Sequence, residues 1–256
     1  MQNKAILVVS FGTSYDEARE KNIEAVEEHI AQKFPDCKVY SAYTSGMVRA
    51  ALKRRGIHIS SVSEALGSIK KDGFKQLIVQ PTHLIYGEEY DKMKLSVSEM
   101  ADNFESVFVG APLLAGFEDM EKVLAVLREG LPKKDDEALV FMGHGSRHFS
   151  NMAYAAMDYL AKSKGYEDIF IGTVEAFPDL DEVLAQVKKK GYKKALLTPL
   201  MLVAGDHAQN DMAGEDEDSW LQVFRSNGIE TSCVLKGLGE YSGIREIYCE
   251  HIENEL

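Results

Sequence analysis

Residues 72–93, DGFKQLIVQPTHLIYGEEYDKM, come back 118 positions later as KGYKKALLTPLMLVAGDHAQNDM. Gly73 pairs with Gly191, Pro81 with Pro199, and Gly87 with Gly205. The segment LVVSFGTS near the start likewise matches VFMGHGSR, with Gly12 opposite Gly145. A repeat of this length constrains the fold strongly. The chain must build two similar units, each with the same order of elements.

Apolar runs at 5–11, 38–44, 76–82, 106–112, 138–143, 169–176, 194–202 and 231–237 read as strands, four in each half. Amphipathic patterns lie between most of them, for example at 14–34 and 119–131. A further helix is expected after GHGS, with Ser146 or Ser150 as its N-cap, and Pro178 and Asp179 suit another helix start. Strand–helix alternation implies parallel sheets. The fold class is therefore α/β, with two similar domains, each a four-stranded parallel sheet flanked by helices. The boundary is expected within 112–122, giving halves 1–115 and 116–256. The C-terminal helix is left free to pack back on the first half.

The chain has 256 residues, 45% of them hydrophobic, enough for two small cores. The net charge of −12 argues against a nucleic-acid surface and against an anionic membrane surface. It leaves room for an anionic small molecule, which responds to the local field. Cys37, Cys233 and Cys249 form no CxxC, so neither a disulfide framework nor a thiolate zinc site is expected. MQNKAILVVSFGTS reads as a strand and a loop rather than a leader, and no apolar run is long enough to span a membrane, so the cytoplasm is the expected location. No GxGxxG or P-loop pattern is present.

The repeat is most informative where it breaks. His144 stands where the first copy has Phe11, His207 stands where it has Glu89, and Glu175 falls near Thr44. Each of the three lies at or just past the end of a predicted strand in the second half. Strand ends on one edge of a parallel sheet are neighbours, so two imidazoles and a carboxylate can meet without being close in sequence. Such a set binds a first-row divalent metal with positions left open, or takes up protons. Taken singly, each residue also fits a blander place: an exposed loop, a solvated pre-helix carboxylate, a turn. Three on one edge favour a site. His83, opposite Met201, reads as a packed or cleft-lining residue. His148 is expected to be solvated on a first helical turn, and His29, His58 and His251 carry no assigned role. EDEDSW at 215–220 reads as a solvated helix start.

SFGTS, PTHLIYGEEYDKM, MGHGS, TVEAFP and PLMLVAGDHAQNDMAG…W, in this order over nearly the whole chain, resemble the anaerobic cobalt chelatases of cobalamin biosynthesis, the CbiK type. The resemblance implies a class II chelatase fold, two parallel α/β domains flanking a cleft. It implies an ATP-independent lyase that inserts Co²⁺ into sirohydrochlorin, a tetrapyrrole bearing eight carboxylates. It implies Co²⁺ as a metal substrate and no permanently bound cofactor. The family's base and metal-binding histidine falls on His144, its metal-binding glutamate on Glu175, and its second metal-binding histidine on His207. His144 and Glu175 are the expected catalytic pair.

Phe11, Tyr86, Phe177, Met201 and Leu202 are candidates for a wall against the macrocycle. Arg49, Arg54, Arg147, Lys92 and Lys94 are candidates for its carboxylates. Glu88 and Glu89 lie on the equivalent edge of the first half. Phe11, Glu89, Arg147 and Met201 are the substrate-binding set expected from these. Some periplasmic relatives carry a leader and bind haem between subunits, and the cytoplasmic form is expected here instead. Other readings stay open: iron insertion into sirohydrochlorin or a porphyrin, and a non-catalytic tetrapyrrole or metal carrier. The His/Glu/His set argues against a two-domain binding-protein receptor. The oligomeric state is not legible in the sequence.

Overall fold

The computed structural model describes residues 4–256. Two four-stranded sheets form, each wholly parallel. The first has β1 (Lys4–Ser10), β2 (Lys38–Tyr43), β3 (Gln76–Pro81) and β4 (Ser106–Val109) in the order β2-β1-β3-β4. The second has β5 (Glu137–Gly143), β6 (Ile169–Thr173), β7 (Lys194–Leu200) and β8 (Glu230–Cys233) in the order β6-β5-β7-β8. The central strands are apolar without alternation and almost entirely buried, as strands covered on both faces must be.

Helices α1 (Asp16–Ala18), α2 (Ala25–Lys33), α3 (Gly46–Arg54), α4 (Val62–Lys71) and α5 (Glu88–Ser98) connect the first sheet. A π-helical stretch, Arg19–Glu24, joins α1 to α2. Helices α6 (Phe117–Gly130), α7 (Met152–Ser163), α8 (Leu180–Lys189) and α9 (Trp220–Ser226) belong to the second half, and α10 (Ser242–Glu253) closes the chain. Leu7, Val9, Leu66, Val79 and Met93 centre the first core. Val140, Met142, Val187, Leu197 and Phe224 centre the second. Asp179 and Ser219 cap α8 and α9 through their side chains. Among the described residues no helix is long and apolar enough to cross a membrane.

All eight strands stand where the apolar runs place them, and most stop short of the run. The run 106–112 pairs only to Val109, and 231–237 only to Cys233. One backbone bond continues past each strand end, the Gly110 N–H to the Val79 carbonyl and the Val234 N–H to the Leu197 carbonyl, before the chain leaves the sheet. The cap expected of Ser146 or Ser150 is made otherwise. His148 accepts the Ser150 N–H at the start of a short 3₁₀ turn, and α7 follows at Met152.

The chain divides into two compact units, residues up to Ala115 with Ser242–Leu256, and Gly116–Tyr241. Helix α10 thus belongs with the first sheet. Ile244, Ile247, Tyr248 and Ile252 are buried, and the Tyr248 hydroxyl donates to the Thr82 carbonyl at 3.0 Å.

Candidate active site

In each sheet the two inner strands send their connections in opposite directions, β1 to β2 and β3 to β4, β5 to β6 and β7 to β8. Past the carboxyl ends of such a strand pair the loops diverge and leave a crevice. His144 follows β5, Glu175 follows β6, and His207 follows β7, so all three lie on this edge of the second unit.

Backbone hydrogen bonds fix the first two. The Val174 N–H donates to the Gly143 carbonyl at 3.0 Å and the Glu175 N–H to the His144 carbonyl at 2.9 Å, prolonging the β5–β6 ladder beyond the strands. The chain then turns at Gly145, whose φ is +85°. A side chain there would be strained, and its Cβ would lie 2.9 Å from Thr173 and 3.0 Å from the Ala176 nitrogen. The glycine lets the 144–148 loop lie on the 173–176 loop.

His144 and His207 meet edge to face, ring centroids 4.7 Å apart at 89°. Each holds its Nδ1 against an oxygen that can only accept. His144 Nδ1 lies 2.8 Å from the Gly145 carbonyl, and His207 Nδ1 lies 2.7 Å from an Asp211 carboxylate oxygen. Neutral rings so held carry the proton on Nδ1 and leave the Nε2 lone pair for a metal or a proton. Asp211 reaches His207 from four residues on, across a π-helical turn, Ala208–Met212. His144 and Glu175 are exposed, and His207 is half-buried. The donor atoms of the three do not all lie within 4.8 Å of one another. A backbone bond sets Glu175 beside His144, and ring contact sets His207 beside His144.

Asn151 ties the two loops. Its Oδ1 accepts the Ser146 N–H at 2.9 Å, and its Nδ2 donates to the Phe177 carbonyl at 2.7 Å. Sequence reasoning passed over both Asp211 and Asn151. An Asp four residues after a metal-competent His is a usable signal for the first. Nothing local marks the second, which bonds one loop five residues away and another 26 residues away.

The remaining sequence candidates are placed as follows. Phe11 is exposed at 47% after β1, and Arg147 is exposed beside His144 in sequence. Met201 is half-buried and packs on the second core. Glu89 opens α5 in the first unit and pairs with Lys92 at 2.5 Å. Burial works to raise its carboxyl, and the ammonium outweighs burial and holds it below the ordinary range. His83 packs in the first unit, both ring nitrogens enclosed and without a hydrogen-bond partner, and burial pushes it down to about 4.

The chain matches the cobalt chelatase (CbiK) family over residues 4–256. It is 39% identical to the sirohydrochlorin cobaltochelatase of Salmonella typhimurium over 255 residues, 99% of this chain and 96% of that protein. It is 36% identical to the sirohydrochlorin cobaltochelatase CbiKC of Nitratidesulfovibrio vulgaris, over 98% of this chain and 90% of that one. The structure of SirB from Bacillus subtilis with Fe³⁺ shares the fold at a TM-score of 0.68 and 13% identity, covering 98% of this chain and 95% of that one. On a family match that runs from the first described residue to the last, the chain belongs to the cobalt chelatase (CbiK) family.

Proposed function

We infer that this protein inserts Co²⁺ into sirohydrochlorin in cobalamin biosynthesis, and that His144, Glu175 and His207 carry the reaction. The observation that carries the assignment of residues is the facing His144–His207 pair, each Nδ1 held by an acceptor and each Nε2 left with its lone pair.

The ion is a substrate and must be bound loosely enough to leave. Two imidazoles and one carboxylate, with the remaining positions on water, meet that need better than a closed tetrahedral cage. Insertion releases two pyrrole N–H protons for each Co²⁺ that enters, so charge balances without ATP or a redox partner. His144 is the base. Its Nε2 accepts a proton, and the Gly145 carbonyl keeps Nδ1–H hydrogen-bonded in the resulting imidazolium. Asp211 stabilises positive charge on His207 in the same way and keeps its ring aimed while the ion is exchanged. Glu175 is exposed next to His144 and adds negative charge, which attracts the cation. Phe11, Glu89, Arg147 and Met201 remain the candidates for holding the tetrapyrrole, with Arg147 the residue suited to a carboxylate. Three free cysteines suit a reducing cytoplasm.

Anaerobic incubation with sirohydrochlorin and Co²⁺, Fe²⁺ or Ni²⁺ separately, followed by the absorbance of the macrocycle, tests this reading. Many turnovers with Co²⁺ are expected. Product limited to one equivalent per protein marks a carrier, and faster turnover with Fe²⁺ marks an iron chelatase.

A further inference from the structure

A second set of metal-competent groups lies in the first unit. Glu246 and Cys249 are three residues apart on α10, hence on one face, and His29 faces them from α2. Nε2 of His29 is 3.2 Å from a Glu246 carboxylate oxygen. One donor atom from each of His29, Glu246 and Cys249 lies within 4.8 Å of the other two, an arrangement found for no other such trio among the described residues. Donors bound to one tetrahedral ion at metal–ligand distances of about 2.0–2.3 Å stand roughly 3.3–3.8 Å apart. Small rotations separate this cluster from that spacing.

We propose that His29, Glu246 and Cys249 form a divalent-metal site, for a borderline first-row ion of the Zn²⁺ or Co²⁺ kind, that clips α10 to α2. The donor set decides the class of ion. A thiolate and an imidazole select against Mg²⁺ and Ca²⁺, and three protein ligands leave one position for water. Access is from one side. The His29 and Glu246 side chains are 30% and 41% exposed, while Cys249 is fully buried and forms the floor.

Two groups must give way, and the surroundings allow both. Burial and the Glu246 carboxylate push the Cys249 thiol up to about 12, so in the free protein it keeps its proton. The entering cation replaces that proton, which goes to solvent as the metal–sulfur bond forms. Lys33 holds Glu246 at 2.5 Å, and it also lies 3.4 Å from Glu253. When the metal takes Glu246, the ammonium keeps a carboxylate partner and is not left unpaired.

Co²⁺ reports the ligands directly, since a cobalt–thiolate bond gives a near-ultraviolet charge-transfer band that nitrogen and oxygen ligands do not. The proposed active site holds no cysteine. Titration of the full-length protein with Co²⁺ under reducing, anaerobic conditions is expected to give that band, together with intense tetrahedral visible bands. Cys249→Ser should abolish the charge-transfer band, His29→Ala should weaken the affinity read from it at least tenfold, and His207→Ala should leave it unchanged. In a His207→Ala background, where the active-site ligands are incomplete, Zn²⁺ should still raise the melting temperature, and adding His29→Ala, a half-exposed position where folding is not at risk, should remove that rise. No charge-transfer band at saturating Co²⁺ overturns the proposal. So does a band that survives Cys249→Ser or disappears in His207→Ala.

Discussion

At the carboxyl edges of β1 and β5 the backbone is copied closely and the side chains are not. After β1 the Thr44 N–H donates to Ser10 and the Ser45 N–H to Phe11. After β5 the Val174 N–H donates to Gly143 and the Glu175 N–H to His144. Each inner strand then turns at a glycine with positive φ, +102° at Gly12 and +85° at Gly145. After β3, Leu113 donates to His83 and Leu114 to Leu84, and after β7, Leu238 donates to Met201 and Gly239 to Leu202. Main-chain bonding thus repeats loop for loop. What differs is the cargo. The first edge carries Phe11, Ser45 and Glu89, with Ser45 spent on capping α3. The second carries His144, Glu175 and His207. A scaffold duplicated in its hydrogen bonds can specialise one copy by changing a few side chains that no hydrogen bond of the sheet depends on.

The sharpest way to break this comparison is to cut the same position in both copies. His207→Ala and His144→Ala should each lower turnover on the order of 10²-fold or more, with the far-ultraviolet dichroism unchanged. Glu89→Gln and Phe11→Ala should act mainly on KM. A loss of turnover in Glu89→Gln equal to that in His207→Ala would erase the asymmetry between the edges.

The glycine pair gives the next effect. Gly12→Ala and Gly145→Ala should each cost about 1–3 kcal/mol of stability in chemical denaturation. A Cβ at Gly12 would sit 2.4 Å from the Tyr43 ring, and at Gly145 it would meet Thr173. Calorimetric titration of the folded proteins should show weakened Co²⁺ binding for Gly145→Ala alone. Asn151→Ala, which frees the 146 loop from the 177 loop, should lower kcat roughly tenfold or less, a positioning effect smaller than loss of a general base. Serine at 151 should restore little, having no group to reach both loops.

Acid–base behaviour gives the smallest effects, both in the first unit. Burial raises the Glu27 carboxyl to about 7 against the Ser41 hydroxyl that bonds it. The folded state therefore holds a proton that the unfolded chain has lost, and this group's contribution to stability falls as pH rises from about 4.5 to about 7. Glu27→Gln should flatten that limb. His83 has the opposite sign. Its folded value is near 4 against an ordinary 6.5, so its contribution is intact above 6.5 and is lost as pH falls toward 4. Proton resonances of the His83 ring that titrate near 6.5 in the folded protein would show the ring to be wet.

Much of this was legible in the sequence, because a repeat doubles every weak signal. The eight apolar runs, the switch from Phe11 to His144 and the pairing of His83 with Met201 all rest on residues that recur at fixed offsets. The register of Glu175 was legible only to within a residue: the alignment puts it near Thr44, and the ladder puts it opposite Ser45. The π-helical stretch at Arg19–Glu24 keeps helical side-chain spacing well enough to hide inside an ordinary helix pattern. Asp211 carried a local signal, four residues after His207, that went unread, whereas Asn151 and the His29–Glu246–Cys249 cluster were not legible. Their meaning lies in partners supplied by another loop or another end of the chain, and no local period encodes such a meeting.

Helix α10 also sets an order of assembly on the ribosome. Everything the second unit needs, residues 116–241, is contiguous and emerges together. The first unit begins earlier, but it must wait for Ser242–Glu253 before Ile244, Ile247, Tyr248 and Ile252 can cover their side of it. Domains ordinarily fold in the order they are made. Here the half synthesised first is completed last, and until then it presents an uncovered apolar face to chaperones.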